Sequence, residues 1–514
     1  MSKTSSENLF VLIKSLKKSE KRYFRLIEGR ENEHPKFLSL FDYLENQQEY
    51  DEEDLLKKLP EIKRQQLSNM KAHLYKKILQ SLRQYNQGSV IDLQIRELID
   101  YAQLLFNRSL YDQCVDVLKK AKKKARKIDN LELRLEIIKW EKNVLGLTIG
   151  PDNEARVQRI LEEVSDVNQR ITNVNTFTNL SAQLNTIQTK IGYTRSQEDY
   201  EKIYTLIKDG IPDVNESELS VNEKISLYSL YVWYYFFIQD FILANTYAWK
   251  WVELYDINKD LRISRTEGYL SAINNLLISQ NKLYHYQDFV DTFRRLREIR
   301  HYPKNLINEN IRLKLLKYTY VHEFNRIFML GDFKAGVSLM NKIKNGLEEF
   351  IEQLDNHSKL ILYYKVACLY FGNDNYKEAV QWLNRVINSD YGDLREDIHS
   401  FARLLNLICH YELGNTDVLD YYIRSAYRYM LKKDDLYLYQ KAILNFIRKL
   451  SGEFNEADLI PEFQKLLTFL KPLQEKAYEK RAFIYFDIIS WLESKIQGRR
   501  VQEVIAAKAK KLII

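Results

Sequence analysis

The chain has 514 residues, of which 78 are Lys or Arg and 70 are Asp or Glu, so the formal net charge is only +8. A chain of this length is longer than the chains that usually fold around a single hydrophobic core. It therefore predicts several domains or a stack of repeats. Gly (15) and Pro (7) are scarce, and because strand-rich folds need both at their turns, the composition excludes a β-fold and predicts helices joined by short loops.

The cysteine content and the N-terminal sequence bear on location. Three cysteines in a chain of this length exclude a disulfide framework and predict a reducing, cytoplasmic setting. The start, MSKTSSENLF, has no apolar segment after its lysine, so we expect no secretory signal. Residues 225–239 carry no charge but are too short to span a bilayer and rich in Tyr, so we interpret them as a buried helix and expect no membrane partner.

Residues 1–88 predict a helical head of four or five helices that lies outside the later repeats. Asp51 is expected to cap a helix that opens with three acidic residues. Leu67, Leu74 and Ile78 follow the spacing of a helix with one apolar face. One helical side of the head carries a set of cations, namely Lys14, Lys17, Lys18, Lys21, Arg22 and Arg25.

Residues 89–452 predict recurring pairs of helices. The clearest pair has apolar or small residues at helical spacing on a first helix, Tyr363, Val366, Ala367 and Tyr370, and on a second helix, Tyr376, Ala379, Leu383 and Val386. The first bulky residues of the second helices recur in steps of 40 to 47 after an initial gap of 89, at Tyr111, Tyr200, Phe241, Tyr286, Phe333, Tyr376 and Thr416. The initial gap predicts a degenerate pair at about 130–172.

This pattern resembles the tetratricopeptide repeat, which alternates small and bulky residues along two helices and places Tyr-x-Glu-Ala on the second one, here Tyr376-Lys377-Glu378-Ala379. The resemblance implies an all-α, right-handed α-solenoid of helical hairpins over 89–452, followed by a C-terminal helical pair and cap at 453–514. Proteins of this family mostly bind peptides and partner proteins without catalysis. The resemblance therefore implies a non-catalytic scaffold or adaptor.

Sequence motifs for catalysis or cofactor binding are absent. The chain contains no GxxxxGK[ST] or GxGxxG loop, no HExxH and no CxxC, and His322-Glu323 is followed by Arg326 where a second histidine ligand would stand. We therefore expect no enzyme activity, no cofactor and no metal site. Cys114, Cys368 and Cys409 are interpreted as small buried hydrophobes.

The aromatic residues have two interpretations. With 36 Tyr in the chain, most aromatic side chains are expected to form the core between repeats. The alternative is that the excess lines a concave groove, where aromatic side chains supply contact area to a partner. The candidates for that groove are Tyr235, Trp249 and Tyr320.

A second candidate surface is the cationic run at 119–127, which consists of Lys119, Lys120, Lys122, Lys123, Lys124, Arg126 and Lys127. We expect the stripe of Leu118, Ala121, Ala125 and Ile128 to face the core. The cations then form either a solvated face or a docking surface for nucleic acid or an acidic protein. Together with the head cations, this run supports an alternative function as a nucleic-acid-associated regulator.

Overall fold

The computed structural model describes residues 5–29, 35–88, 90–148, 152–303, 306–391, 393–433, 436–450, 456–476, 478–480 and 482–513. Within these ranges the regular structure is helical throughout, without a strand. The all-α class that the composition predicts is therefore confirmed.

The α-helices, in chain order, are α1 Ser5–Ser15, α2 Lys18–Glu28, α3 Lys36–Asn46, α4 Glu52–Lys58, α5 Arg64–Gln87, α6 Ile91–Phe106, α7 Tyr111–Lys127, α8 Leu131–Leu145, α9 Asn153–Ile191, α10 Gln197–Gly210, α11 Val221–Phe237, α12 Phe241–Ile257, α13 Lys259–Ser264, α14 Thr266–Lys282, α15 Tyr286–Glu298, α16 Glu309–Leu330, α17 Phe333–Glu352, α18 Asn356–Gly372, α19 Tyr376–Ile387, α20 Glu396–Glu412, α21 Thr416–Lys432, α22 Leu438–Leu450, α23 Glu456–Leu470, α24 Ala482–Tyr485, α25 Ile488–Gln497 and α26 Val501–Ile513. Short 3-10 turns occupy Glu216–Glu218, Ile299–His301 and Lys471–Gln474.

The chain divides into two compact units, Met1–Val164 and Ser165–Ile514. In the first unit, helices α1 to α5 enclose one hydrophobic core, and α6 to α8 enclose another around Cys114 and Ala121. Asp51 caps α4 as expected, since its carboxylate accepts hydrogen bonds from the backbone N–H groups of Glu53 and Asp54 at 2.9 and 3.1 Å. The predicted domain boundaries after residues 88 and 452 stay predictions.

In the second unit, consecutive helices pack as pairs: α11 with α12, α14 with α15, α16 with α17, α18 with α19, and α20 with α21. The first helices of neighbouring pairs also contact one another, as α14 does with α16, α16 with α18, and α18 with α20. Each of these first helices therefore buries more than one side, in agreement with their apolar composition.

The turns between paired helices share one backbone geometry. A residue with positive φ stands two positions before each second helix, at Ser109, Gln239, Tyr284, Gly331, Asp374 and Gly414, with φ between 56° and 69°. The second helices then open at residues that mark the predicted repeat, Tyr111, Phe241, Tyr286, Phe333, Tyr376 and Thr416. Tyr200 is the exception, because it lies inside α10, which begins at Gln197.

Two helices occupy residues 130–172, where a degenerate helical pair is expected, but the second helix is far longer than a repeat helix. Helix α8 is followed by α9, a single helix of 39 residues from Asn153 to Ile191. The physical reason is in the sequence, because α9 contains neither Gly nor Pro and ends only before Gly192, whose φ is +81°.

Two other predictions concern the charge-free stretch and the C-terminal region. Most of residues 225–239 lie in α11, a helix of 17 residues that is largely buried. No helix in the described ranges combines the length and the hydropathy needed to cross a bilayer. In the predicted C-terminal region at 453–514, Gly498 has a φ of +60° and separates α25 from the last helix, α26.

Candidate functional site

A cavity of about 940 Å³ lies inside the second unit. Its wall is formed by one face of each of α11, α14, α16 and α18, together with the C-terminal part of α9 and residues of α12 such as Trp251. Residues 483 and 485–487 and Ile505 of α26 also contribute to the wall. The volume lies within the range of about 300–1,000 Å³ that is usual for ligand pockets.

Each helix contributes a stripe of residues at helical spacing to the cavity wall. On α14 the stripe runs through Ser271, Asn275, Ile278 and Lys282, and on α18 it runs through Ser358, Ile361, Lys365 and Cys368. The remaining faces of these helices bury apolar side chains such as Leu277 against the neighbouring helices. A helix in this position has apolar faces on both sides of the stripe that lines the cavity. Its sequence therefore lacks the pattern of a surface helix, which has one apolar and one polar face.

The charged side chains of the cavity wall are mostly cationic. In the described part of the chain the wall contains one carboxylate, Asp487, and four cationic side chains, namely Lys282, Lys317, Lys365 and Arg395. Asp487 also caps α25, where it accepts a hydrogen bond from the backbone N–H of Ser490 at 2.9 Å. The interior therefore favours negatively charged ligand groups.

Lys282 and Lys365 have lowered pKa values. Burial, and then the charges of Lys365 and Arg395, lower the pKa of Lys282 to about 7. Burial lowers the pKa of Lys365 to about 8, and Arg395 acts in the same direction. The three cations are thus close enough to repel one another, and a negative charge between them would relieve that repulsion.

A chain of hydrogen bonds fixes the ammonium group of Lys365. Lys365 Nζ donates to Asn325 Oδ1 at 2.6 Å, and Asn325 Nδ2 lies 3.2 Å from His322 Nδ1. His322 Nε2 in turn lies 3.0 Å from Asn274 Oδ1. These partners fit a neutral imidazole that donates from Nε2. Burial, and then the charge of Lys365, lower the pKa of His322 to about 3, so the ring is neutral.

Arg395 forms a buried ion pair with Asp397. Its guanidinium donates from Nε to Oδ1 at 2.9 Å and from Nη2 to Oδ2 at 2.8 Å. Burial alone would raise the pKa of Asp397, but Arg395 outweighs burial and lowers it. Tyr485 also donates its hydroxyl to Asp397, so the carboxylate is ionised and well bound.

The backbone of Arg395 is strained in a way that positions its side chain. Its φ of 50° and ψ of 56° lie in the left-handed region, which is unfavourable for a residue with a Cβ. The N–H of Arg395 donates to the carbonyl oxygen of Thr189 at 2.9 Å. Such strain persists only where the surroundings impose it, and it often marks a functional position.

Three further titratable side chains of the wall, those of His357, Tyr193 and Cys368, are neutral at pH 7. Burial, followed by the charge of Arg395, lowers the pKa of His357 to about 4. Burial raises the pKa of Tyr193 and of Cys368 to about 12. Cys114 and Cys409 are buried as expected, but Cys368 is only partly buried because it faces the cavity, so its interpretation as a core residue is corrected.

The predicted groove aromatics lie outside the cavity wall. Tyr235 stacks on Tyr247 with ring centroids 5.6 Å apart and borders a separate depression of about 500 Å³. Trp249 is 39% exposed on α12, and Tyr320 is half-buried against Phe350. Aromatic side chains do line the cavity, but they are different ones, including Trp233, Trp251 and Tyr318. Binding by the three predicted residues stays a prediction.

The head cations have mixed environments within the first unit. Arg25 pairs with Asp42 and Glu45, and Lys21 lies 3.4 Å from Glu45. Lys14 donates to the backbone oxygens of Glu45 and Gln47. Exposed positions are occupied by Lys17, Lys18 and Arg22. Part of this set therefore stabilises the head, and the rest faces solvent.

The cationic run on α7 is divided in the same way. The stripe of Leu118, Ala121, Ala125 and Ile128 is buried, as predicted. Lys122 bridges Glu141 and Glu163 at 2.6 Å each, and Arg126 also pairs with Glu163 at 2.9 Å. Lys124 donates to Gln94 at 2.7 Å, and Lys119 pairs with Asp116 at 3.3 Å. The side chains of Lys120, Lys123 and Lys127 are exposed.

Comparison with known proteins does not identify a family for this chain. No protein-family model matches the chain, and neither the curated proteins nor the solved structures give a match.

The cavity cations were not among the residues singled out from the sequence. A signal for them was present, because Lys365 interrupts the apolar run LILYYKVACLYF and is the only charged residue in it. On α14, polar residues recur at helical spacing up to Lys282. A polar stripe on a helix that is otherwise apolar on both flanks indicates an internal polar surface.

Proposed function

We propose that this protein is a non-catalytic binding protein of tetratricopeptide-like helical hairpins, which holds a segment of a partner chain in the cavity of its second unit. The observation that carries the proposal is the cavity wall, because successive first helices each present a stripe of polar and apolar residues to the same space. This arrangement suits the recognition of an extended chain by several helices at once.

Two structural features support the solenoid part of the proposal. The turns of six helical pairs share a positive φ two residues before the second helix. In addition, first helices contact the first helices of the neighbouring pairs, as expected when hairpins stack in register. We also propose a cytoplasmic location, because the three cysteines are free thiols.

The proposal can be tested with a displayed library of random twelve-residue peptides. Ser229 of α11 lines the cavity, so Ser229→Trp would place an indole in the binding space. Ser338 is exposed on α17, and Ser338→Trp is the matched control. We expect peptides enriched on the wild type to bind S338W with unchanged affinity and S229W at least about tenfold more weakly.

Two results would contradict the proposal. One is that no peptide is enriched, and the other is that enriched peptides bind S229W as tightly as the wild type. Thermal melting of both variants shows whether the fold is retained, so that a loss of binding can be assigned to the cavity.

A second candidate function, a nucleic-acid-associated regulator, has one observation in its favour. Lys120, Lys123 and Lys127 are exposed on α7, and phosphate contacts need exposed cations of this kind. The test is a titration of single- and double-stranded DNA at several salt concentrations with the wild type and with a triple Lys→Gln variant at these positions. A steep salt dependence that the variant reduces would support this function, and equal binding by both proteins would exclude this surface.

A further inference from the structure

Three cationic side chains from different elements line the cavity. Lys282 stands at the end of α14, Lys365 in the middle of α18, and Arg395 at the start of α20. Lys365 and Arg395 both act electrostatically on Lys282, and Arg395 also acts on Lys365. The fold therefore concentrates positive charge at this place, at the cost of mutual repulsion.

The carboxylates near this part of the cavity have structural partners. Asp397 is bound by the guanidinium of Arg395 and by the hydroxyl of Tyr485. Asp487 caps α25, and Asp355 caps α18 by accepting from the backbone N–H of Ser358 at 2.9 Å. Asp397 balances the charge of Arg395, whereas Asp355 and Asp487 keep their negative charges while they cap helices and partly offset the lysines of the wall.

The other titratable groups around the cluster do not change charge near pH 7. Burial raises the pKa values of Tyr193, Tyr284 and Tyr485 and of the Cys368 thiol, whereas burial lowers those of His322 and His357. All six groups are therefore neutral at pH 7. Burial also lowers the pKa of Lys317, the third lysine of the wall. A change of charge on ligand binding at this pH would therefore come from the lysines, and first from Lys282, whose pKa is about 7.

We infer that this cluster is an oxyanion subsite, at which Lys282, Lys365 and Arg395 hold a compact head group with two negative charges on an organic ligand. Lys282, Lys365 and Arg395 line the same cavity, and Asp397 already balances the guanidinium. A phosphate monoester or two adjacent carboxylates carry the matching charge. Trp233 and Tyr318 line the same cavity and offer apolar contact to the body of the ligand.

This inference deepens the proposed function, on which it rests, because it names the chemistry of the group that the cavity binds. Binding of an anion also changes the protonation of Lys282. An anion at the subsite raises the pKa of Lys282 from about 7, so above pH 7 the complex takes up a proton that the free protein lacks.

Isothermal titration calorimetry at pH 8, in two buffers that differ in ionisation enthalpy, tests both points. The probes are phenyl phosphate, N-acetyl-phenylalanyl-aspartate, inorganic phosphate and the singly charged benzoate. We expect one or both organic dianions to bind more tightly than benzoate and to take up a proton, and the comparison of the two distinguishes a phosphate from a dicarboxylate. Equal affinity for the dianions and benzoate would overturn the inference.

Variants at Lys282 separate charge from proton uptake. Lys282→Met should weaken binding of the dianion about tenfold or more, as expected for the loss of a charged hydrogen bond. Lys282→Arg should keep binding but abolish proton uptake from this residue, because a guanidinium does not deprotonate in this range. Lys344→Met, at an exposed position of α17, is the control and should change neither quantity.

Failure of this inference can be told apart from failure of the proposed function. The subsite is wrong if Lys282→Met binds the dianions as tightly as the wild type, or if the wild type takes up no proton. The proposal of partner binding would still be supported in that case, provided that S229W abolishes peptide binding. If the dianion results hold while S229W leaves peptide binding unchanged, the subsite stands and the partner-binding proposal fails.

Discussion

The guanidinium of Arg395 and the carboxylate of Asp397 form two hydrogen bonds, at 2.9 Å from Nε to Oδ1 and at 2.8 Å from Nη2 to Oδ2. Asp397 has no exposed side-chain surface, whereas Arg395 keeps 14% of its side chain accessible. The pair thus fixes one end of the guanidinium in the protein and leaves the cation part of the cavity wall. The guanidinium therefore keeps its place in the wall without a ligand, while Asp397 balances its charge.

Replacement of Asp397 by Asn should destabilise the protein, because it leaves the buried guanidinium of Arg395 without its counter-charge. A loss of about 3 kcal/mol is expected for breaking such a pair on one side. The measurement is the thermal melting midpoint of the variant at pH 7. An unchanged midpoint would show that the ion pair contributes little to stability.

The same substitution has a pH signature. Arg395 overrides the effect of burial and lowers the folded-state pKa of Asp397 below the unfolded value of about 3.9. The stabilisation is therefore complete above about pH 4 and is lost as pH falls through the folded-state pKa. The melting midpoints of wild type and D397N should differ by a constant amount from pH 5 to 7 and converge below pH 4.

Lys282 should make the stability of the protein rise with pH above neutrality. Its pKa is about 7 in the folded protein and about 10.4 in an unfolded chain, so the unfolded state binds more protons between these values. The buried charge of Lys282 destabilises the folded protein fully below pH 7, and this destabilisation decreases as the pH rises towards 10. Melting curves from pH 6.5 to 9.5 should show this rise for the wild type and a smaller one for Lys282→Met. Parallel pH profiles would contradict the lowered pKa.

His322 should contribute to acid sensitivity. Burial lowers its folded-state pKa to about 3, whereas an unfolded histidine titrates near 6.5, so the unfolded state binds the additional proton as pH falls below about 6.5. The free energy of unfolding therefore falls progressively as the pH decreases from 6.5 to 3. His322→Gln should flatten the melting profile over this interval, and the exposed His301, changed in the same way, should leave it unaltered.

Two glycines provide a matched test of the turn geometry. A Cβ would contact nothing within 4 Å at either Gly414 or Gly346, but Gly414 has a φ of +69° in a turn and Gly346 lies inside α17. Gly414→Ala should therefore destabilise by about 1 kcal/mol through left-handed strain. Gly346→Ala should stabilise by about 0.5–1 kcal/mol through helix propensity. Shifts of the melting midpoint in the same direction would contradict this account of the turns.

Adjacent lysines on α7 should differ in their contribution to stability. Lys122 bridges Glu141 and Glu163 and keeps 13% of its side chain accessible. Lys122→Met removes the cation that these two carboxylates share, although Arg126 still pairs with Glu163, and should cost about 1–3 kcal/mol. Lys123 is exposed, and Lys123→Met should change stability by less than about 0.5 kcal/mol. Melting of the two variants checks this, and equal shifts would show that the bridge is not a stabilising contact.

Local patterns in the sequence were sufficient to predict many of the helical pairs. Phe241, Phe333 and Tyr376 open second helices as predicted, because helix periodicity and turn residues act over a few positions. At about 130–172, where a degenerate pair is expected, there are two helices, α8 and the first part of α9, but α9 continues to Ile191. The repeat period did not predict this extension, which follows from the absence of Gly and Pro in α9.

The sequence by itself determined the helical class, the turns between paired helices and the inward stripe of α7, since these depend on spacing and on residue types within a few turns of helix. Only the tertiary structure decided that Lys282, Lys365 and Arg395, which are 30 to 113 positions apart in the chain, line one cavity. It also decided that Lys122 is engaged by Glu141 and Glu163 while Lys123 is exposed. The physical reason is that a charge takes its pKa and its partners from groups close in space, and helix stacking brings together residues that no local pattern relates.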